Sequence, residues 1–191
     1  YIRYPDTKTC YCPTTREAFE TTLGHRVSPW PGVVLETGRY HDRFREWRAR
    51  GMTRFVRRVK DTVRAVDPRV QISAAVFRRY PSCRDNVGQD WPVWLKEGIV
   101  DFVCPMNYTE DDEIFAWETR EQLSFPGAAN RIFPGIGVSS GESQLRAEQV
   151  LRQINLARQA GAPGYIFFDL SPVFRDDVLP VLRLGATGKV P

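Results

Sequence analysis

Four short runs decide the fold class: Val70-Gln-Ile-Ser-Ala-Ala-Val76, Ile99-Val-Asp-Phe-Val-Cys104, Ile132-Phe-Pro-Gly-Ile-Gly-Val138 and Gly164-Tyr-Ile-Phe-Phe-Asp-Leu170. Each is nearly continuously apolar, the pattern of a strand buried on both faces of a parallel sheet. They begin at residues 70, 99, 132 and 164. Successive starts are therefore roughly 30 residues apart, the length of a βαβ unit.

Helical patterns fill the gaps. Phe44, Trp47, Met52, Phe55, Val56, Val59, Val63 and Val66 form an apolar stripe at three-to-four spacing that Pro68 ends, with Gly51 a point where the helix could kink or divide. Trp91–Lys96 reads as a short helix closed by Gly98, and Glu113–Leu123 as a longer one. Leu145–Ala160 has Ser143 as its expected N-cap and Gly161 past its end, and a last helix is predicted near Val173–Leu184. The order is α/β with a parallel sheet. Pattern alone fits two architectures, the second half of a (β/α)8 barrel or an open doubly wound sheet.

The chain has 191 residues, with 27 Lys+Arg against 23 Asp+Glu for a net charge of +4, and 42% hydrophobic residues including 11 Phe, 7 Tyr and 5 Trp. This aromatic load and low net charge exclude a disordered chain. No apolar stretch approaches the ~20 residues of a membrane span. The length suggests about one domain, assigned to residues 1–184 with 185–191 as a tail. The opening, Tyr1-Ile-Arg-Tyr-Pro5, reads like the end of a strand that begins earlier, so a fragment of a longer protein is expected. No signal peptide is visible.

In either architecture the site lies beyond the C-terminal ends of the strands. The segments there are 3–12, 77–90, 105–112, 139–142 and 169–172, with the long connection 6–43 at the same end. Asp90 in Gln89-Asp90-Trp91-Pro92 suits an N-cap, and of Trp91 and Trp94, at i and i+3, one could pack inward while the other presents a ring to a sugar or another flat apolar ligand. Pro105-Met-Asn-Tyr-Thr109 carries Asn107 and Tyr108 to the active end, both hydrogen-bonding groups, followed by Glu110, Asp111 and Asp112. Three acids at a helix start also satisfy the helix dipole. Asp169 ends the last run and could point into the mouth or cap the next helix.

Other signals read as structure. Gly135-Ile-Gly137-Val-Ser-Ser-Gly141 has GxGxxxG spacing with no following Lys, so a plain turn is favoured over a phosphate cradle. Nine Arg between Arg39 and Arg64 are interleaved with acids opposite an apolar stripe, which describes a solvated helix face and no nucleic-acid partner. Cys10-Tyr-Cys12, Cys83 and Cys104 lack the spacing of a metal cage, so no metal or other cofactor is expected, and a structural or disulfide role is favoured. No Ser/His/Asp elbow is present.

Taken in order, Tyr1-Ile-Arg-Tyr-Pro5, Cys10-Tyr-Cys12 with Arg16-Glu-Ala-Phe19, Trp47-Arg48, Ile72-Ser-Ala-Ala-Val76, Gln89-Asp-Trp91, Trp94-Leu95, Val100-Asp-Phe-Val103, Pro105-Met-Asn-Tyr-Thr109, Gly135-Ile-Gly137 and Gln153…Ala157-Arg158…Gly161 resemble the glycosyl-hydrolase-like family of the YddW type, relatives of the family-10-like hydrolases. The resemblance runs from Tyr1 to about Leu182. It implies a (β/α)8 barrel of which this chain is the C-terminal half, from the end of strand 4 to strand 8, completed by an N-terminal half. It implies a polysaccharide substrate, cell-wall glycan in bacterial members, and a secreted or cell-envelope (periplasmic) protein, with a lipid anchor in some members. The family's leading carboxylate is an Asp immediately before the segment that opens here with Tyr1. Glycoside hydrolysis usually needs two carboxyl groups. This chain would supply the second, from Asp90, Glu110 or Asp169, and is expected to be inactive alone. Arg3 would keep the leading carboxylate ionised, and Tyr1, Arg3, Trp91, Asn107 and Tyr108 would contact the sugar. The rival readings are a non-catalytic carbohydrate-binding barrel and an open sheet binding phosphate or nucleotide at Gly135–Gly141.

Overall fold

The computed structural model describes residues 2–185. The chain divides into two compact units, one of residues 2–70 and 80–91, the other of residues 71–79 and 92–185.

The first unit is helical. Helix α1 (Pro13–Leu23) starts at a proline, whose missing N–H costs nothing there, and stops at Gly24 with φ 77°. A single 3-10 turn follows at Gly32–Val34, and helix α2 runs His41–Val66 without a break at Gly51. Its neighbours Ala49 and Met52 hold the apolar face on both sides of that glycine, so the roughly 1 kcal/mol cost of a helical glycine is absorbed. The core is a cluster of rings. Phe19, Val27, Val33, Val34 and Phe44 are buried, with Tyr11, Leu23, Trp30, Tyr40 and Trp47 packed around them. Helix α3 (Ser82–Val87) ends at Gly88, φ 80°, where a Cβ would stand 3.1 Å from the Tyr4 ring.

The second unit holds the strands β1 (Ser73–Val76), β2 (Phe102–Pro105), β3 (Gly135–Gly137) and β4 (Ile166–Phe168). Strands β1 and β2 pair in parallel with Ser73 opposite Phe102, and β3 and β4 pair in parallel with Gly135 opposite Ile166. A parallel bridge from Val103 to Ile132 links β2 to the segment leading into β3. Among the described residues, neighbouring strands in space are neighbours in sequence, and the strand order does not reverse. Each expected strand is present but shorter than its apolar run.

Helix α4 (Trp91–Lys96) precedes β2, α5 (Asp112–Leu123) joins β2 to β3, and α6 (Ala147–Gln159) joins β3 to β4. Gly98 and Gly161 take positive φ at the expected stops. Ser143 does not cap α6; that position is Arg146, while the Ser143 hydroxyl donates to the Gly137 carbonyl at 2.6 Å. The last expected helix is a π-helical turn (Phe174–Val178) running into α7 (Leu179–Leu182), beginning where Ser171 Oγ accepts from the Phe174 amide. The core is mainly aliphatic and continuous, from Ile136 and Val138 through Val150 and Ile154 to Val178 and Leu182, with Phe115 and Phe174 set into it. No described helix is long and apolar enough to cross a membrane.

Candidate functional site

In the second unit every strand hands its last residues to a loop at the same end. Tyr108, after β2, lies at the centre. Its ring stacks on Phe168, the last residue of β4, with centroids 5.2 Å apart and planes 19° from parallel. The stack is possible because β3 between them carries no side chains at two positions. A Cβ on Gly137 would stand 2.9 Å from Tyr108 Cβ and 2.5 Å from Ser143 Oγ, and one on Gly135 would be 3.1 Å from Tyr108 Cε1. The glycines serve this ring. The amides of the turn are committed elsewhere: Ser140 N to the Ser143 carbonyl, Glu142 N and Ser143 N to Ser140 Oγ. The favoured plain-turn reading of Gly135–Gly141 agrees with this hydrogen bonding. Burial, then the nearby Cys104 and Glu142, push the Tyr108 phenol up to about 12, so it stays a neutral donor and acceptor.

Behind Tyr108 is a polar network. Arg78, after β1, donates to the Tyr108 carbonyl at 2.7 Å and pairs with Glu142 and with the buried Glu118, both at 3.4 Å. Arg79 also reaches Glu118, at 2.8 Å. Gln122 donates to the Arg78 carbonyl and to Asn107 Oδ1 at 2.7 Å, and Asn107 donates back to Gln122 Oε1 at 3.0 Å and to Thr119 Oγ1. Asn107, expected to touch the sugar, is instead fully buried with both ends of its amide engaged; it holds the loop that presents Tyr108.

Glu110 is exposed and accepts from the Gln144 amide at 2.9 Å, which ties the loop after β2 to that after β3. Asp111 caps α5 through the Glu113 and Ile114 amides, and Asp112 pairs with Arg152. Asp169 follows Phe168 directly; its Oδ1 is buried with no hydrogen-bond partner. Tyr108, Glu110 and Asp169 thus share the strand ends of the second unit.

Arg3, Asp90 and Trp91 belong to the first unit. Asp90 lies against Arg84 at 3.3 Å and bonds with Tyr80, with Oδ1 buried and unpartnered. Burial raises its pKa, opposed by Arg84. The Trp91 ring is 0% exposed and packs edge-on against Tyr80, so it offers no face to a sugar. Trp94 is equally buried. Arg3 donates to the Pro5 carbonyl at 3.2 Å. Tyr1 lies outside the described residues.

Sequence reasoning missed Arg78, Glu118, Glu142 and Phe168. Arg78 and Glu142 fell within the segments marked as strand ends, which was the usable signal. Glu118 gave none, since a Glu in mid-helix reads as surface. Among the described residues no group of three or more His, Cys, Asp or Glu could hold a metal ion.

Parallel strands joined by helices make this an α/β protein, a class in which the loops past the C-terminal strand ends are where sites are built. Residues 14–154, well over half of the chain, match the glycosyl hydrolase-like 10 family, and the chain belongs to that family. No curated protein matches it.

Proposed function

We propose that this chain supplies the C-terminal half of a (β/α)8 barrel in a glycoside hydrolase that cleaves extracellular or cell-wall polysaccharide, in a secreted or cell-envelope protein. Family membership supports the hydrolase class. The unreversed order of parallel strands supports a barrel, since a doubly wound sheet reverses at its switch point. The observation that carries the reading is the Tyr108–Phe168 stack beside Asp169. Phe168 is 45% exposed, and ring faces of this kind pack against the apolar face of a sugar.

In this reading one carboxylic acid protonates the departing glycosidic oxygen while a second carboxylate attacks or activates water. Asp169, Glu110 and Asp90 are this chain's candidates, and a carboxylate from the N-terminal half of the barrel is the partner. Asp90 suits the acid role best by its raised pKa. Asp169 suits the mouth best by position. The 191-residue chain alone is then inactive.

The test is release of reducing sugar from cell-wall glycan by the complete protein carrying Asp169→Asn, Glu110→Gln, Asp90→Asn or Tyr108→Ala. A loss of at least 100-fold in kcat is expected for one carboxylate variant. Tyr108→Ala should chiefly raise KM, on the order of tenfold. Glycan cleavage by this chain alone, or full activity in all three carboxylate variants, would overturn the assignment. Glycan retention without product release by the complete protein would mark a non-catalytic binding barrel instead.

A further inference from the structure

Cys10 and Cys12 flank Tyr11, and Tyr11 is locked. Its ring stacks on Phe44 at 6.0 Å and meets Trp30 edge-on, its hydroxyl donates to the Thr7 carbonyl, and its own carbonyl accepts from Trp30 Nε1 at 2.9 Å. With the middle residue anchored inward, the two flanking thiols are held together. Their sulfurs are 3.3 Å apart, and Thr15 Oγ1 lies 3.3 Å from each. Cys12 is exposed and is the N-cap of α1, where helix amides favour a negative charge. The other cysteines differ. Cys83 is buried and Cys104 half-buried, and burial pushes their thiols up to about 12 and about 11. Hydrogen bonds from Thr15 and from Cys10 bring the Cys12 thiol down to about 7.

We propose that Cys10 and Cys12 form a thiol–disulfide exchange site that takes low-molecular-weight disulfides or exposed protein disulfides as its co-reactant. The Cys12 thiolate attacks one sulfur of the incoming disulfide, forming a mixed disulfide and expelling the other half as a thiolate, which takes up the proton Cys12 had lost. Cys10 then loses its proton and attacks Cys12 Sγ, closing the Cys10–Cys12 disulfide and expelling the second thiol. The two cysteines are oxidised by two electrons and the incoming disulfide is reduced to two thiols. A ring closed over one intervening residue gains little loop entropy, so the reverse reaction with excess thiol is also accessible.

The experiment uses the full chain in glutathione buffers of increasing oxidised-to-reduced ratio, quenched by alkylation and read by peptide mass. The peptide holding residues 10–12 should lose two hydrogens and become refractory to alkylation as the ratio rises, and recover on adding reduced glutathione. Cys83 should stay unreacted throughout. In the Cys10→Ala protein a glutathione adduct should accumulate on Cys12. Iodoacetamide should alkylate Cys12 at pH 7 on the order of fivefold faster than an ordinary thiol, and Thr15→Val should remove most of that excess. Adducts on both cysteines without ring closure, or a Cys12 alkylation rate no greater than that of an ordinary exposed thiol, would overturn the proposal.

Discussion

The two units bury their cores by different means. In the first, a small number of large rings meet around Phe44, which contacts Tyr11, Phe19, Trp30 and Trp47 at centroid distances of 5.0 to 6.0 Å. In the second, mainly aliphatic side chains from strands and helices, with Phe115 and Phe174 among them, form a continuous layer, and Asn107, Thr119 and Gln122 make a buried polar network behind Tyr108. A ring cluster concentrates its burial on a hub, so single truncations are costly there. An aliphatic layer spreads the burial, and its weak points are the polar groups and close approaches that it encloses.

The sharpest way to break this contrast is Phe44→Ala. Losing the hub ring should cost about 3–5 kcal/mol, read by urea denaturation, with hydrogen exchange showing lost protection in α2 and none lost in α6. Equal loss in both helices would mean that the units unfold as one, and the contrast would lose its energetic meaning.

A smaller effect is expected from Gly137→Ala in the second unit. The added methyl meets the Ser143 hydroxyl and Tyr108 at distances no real Cβ tolerates. The strand or the ring must shift, at about 1–3 kcal/mol. Glycan affinity should fall with it if Tyr108 is the platform, and a variant of native stability and affinity would show that the loop gives way freely.

The smallest effect sharpens the first unit's electrostatics. Burial raises the Asp90 pKa, so the folded chain holds that proton more tightly than the unfolded chain. Its ionisation therefore costs stability as pH rises from the ordinary carboxylate range through the raised value. Asp90→Asn should be neutral or stabilising at pH 7, with the difference from wild type closing on acidification. A variant less stable at pH 7 than wild type would mean that the pairing with Arg84 outweighs the burial.

The same contrast explains what the sequence disclosed. In the second unit, apolar runs recurring at βαβ spacing located all four strands, and Gly98 and Gly161 located two helix ends, because these signals are local. The stripe from Phe44 to Val66 likewise gave α2. Helix α1 was not read, since its apolar residues are few and its one buried side chain, Phe19, packs on rings distant in sequence. The site was legible in part. The positions of Tyr108, a few residues past the run ending at Cys104, and of Asp169, inside the last run, were readable at the strand ends because the runs themselves are local signals. Asn107 and Trp91 were placed at the right end of the chain segments but in the wrong environment, because an alternation of buried and half-exposed residues leaves no mark when every residue type could serve either side. Glu118 was invisible for a related reason: its burial depends on Arg78 and Arg79, some forty positions away.

The amide pair of Asn107 and Gln122 carries one more consequence, for chemical ageing. Each side chain donates to the oxygen of the other, so both orientations are keyed and neither can rotate alone. Hydrolysis of either amide to its acid would set two acceptors face to face in a closed space, with a proton as the only remedy. The enclosure that keeps water from these amides is thus also what makes their slow decay matter, and the loop bearing Tyr108 would be the first part of the molecule to register it.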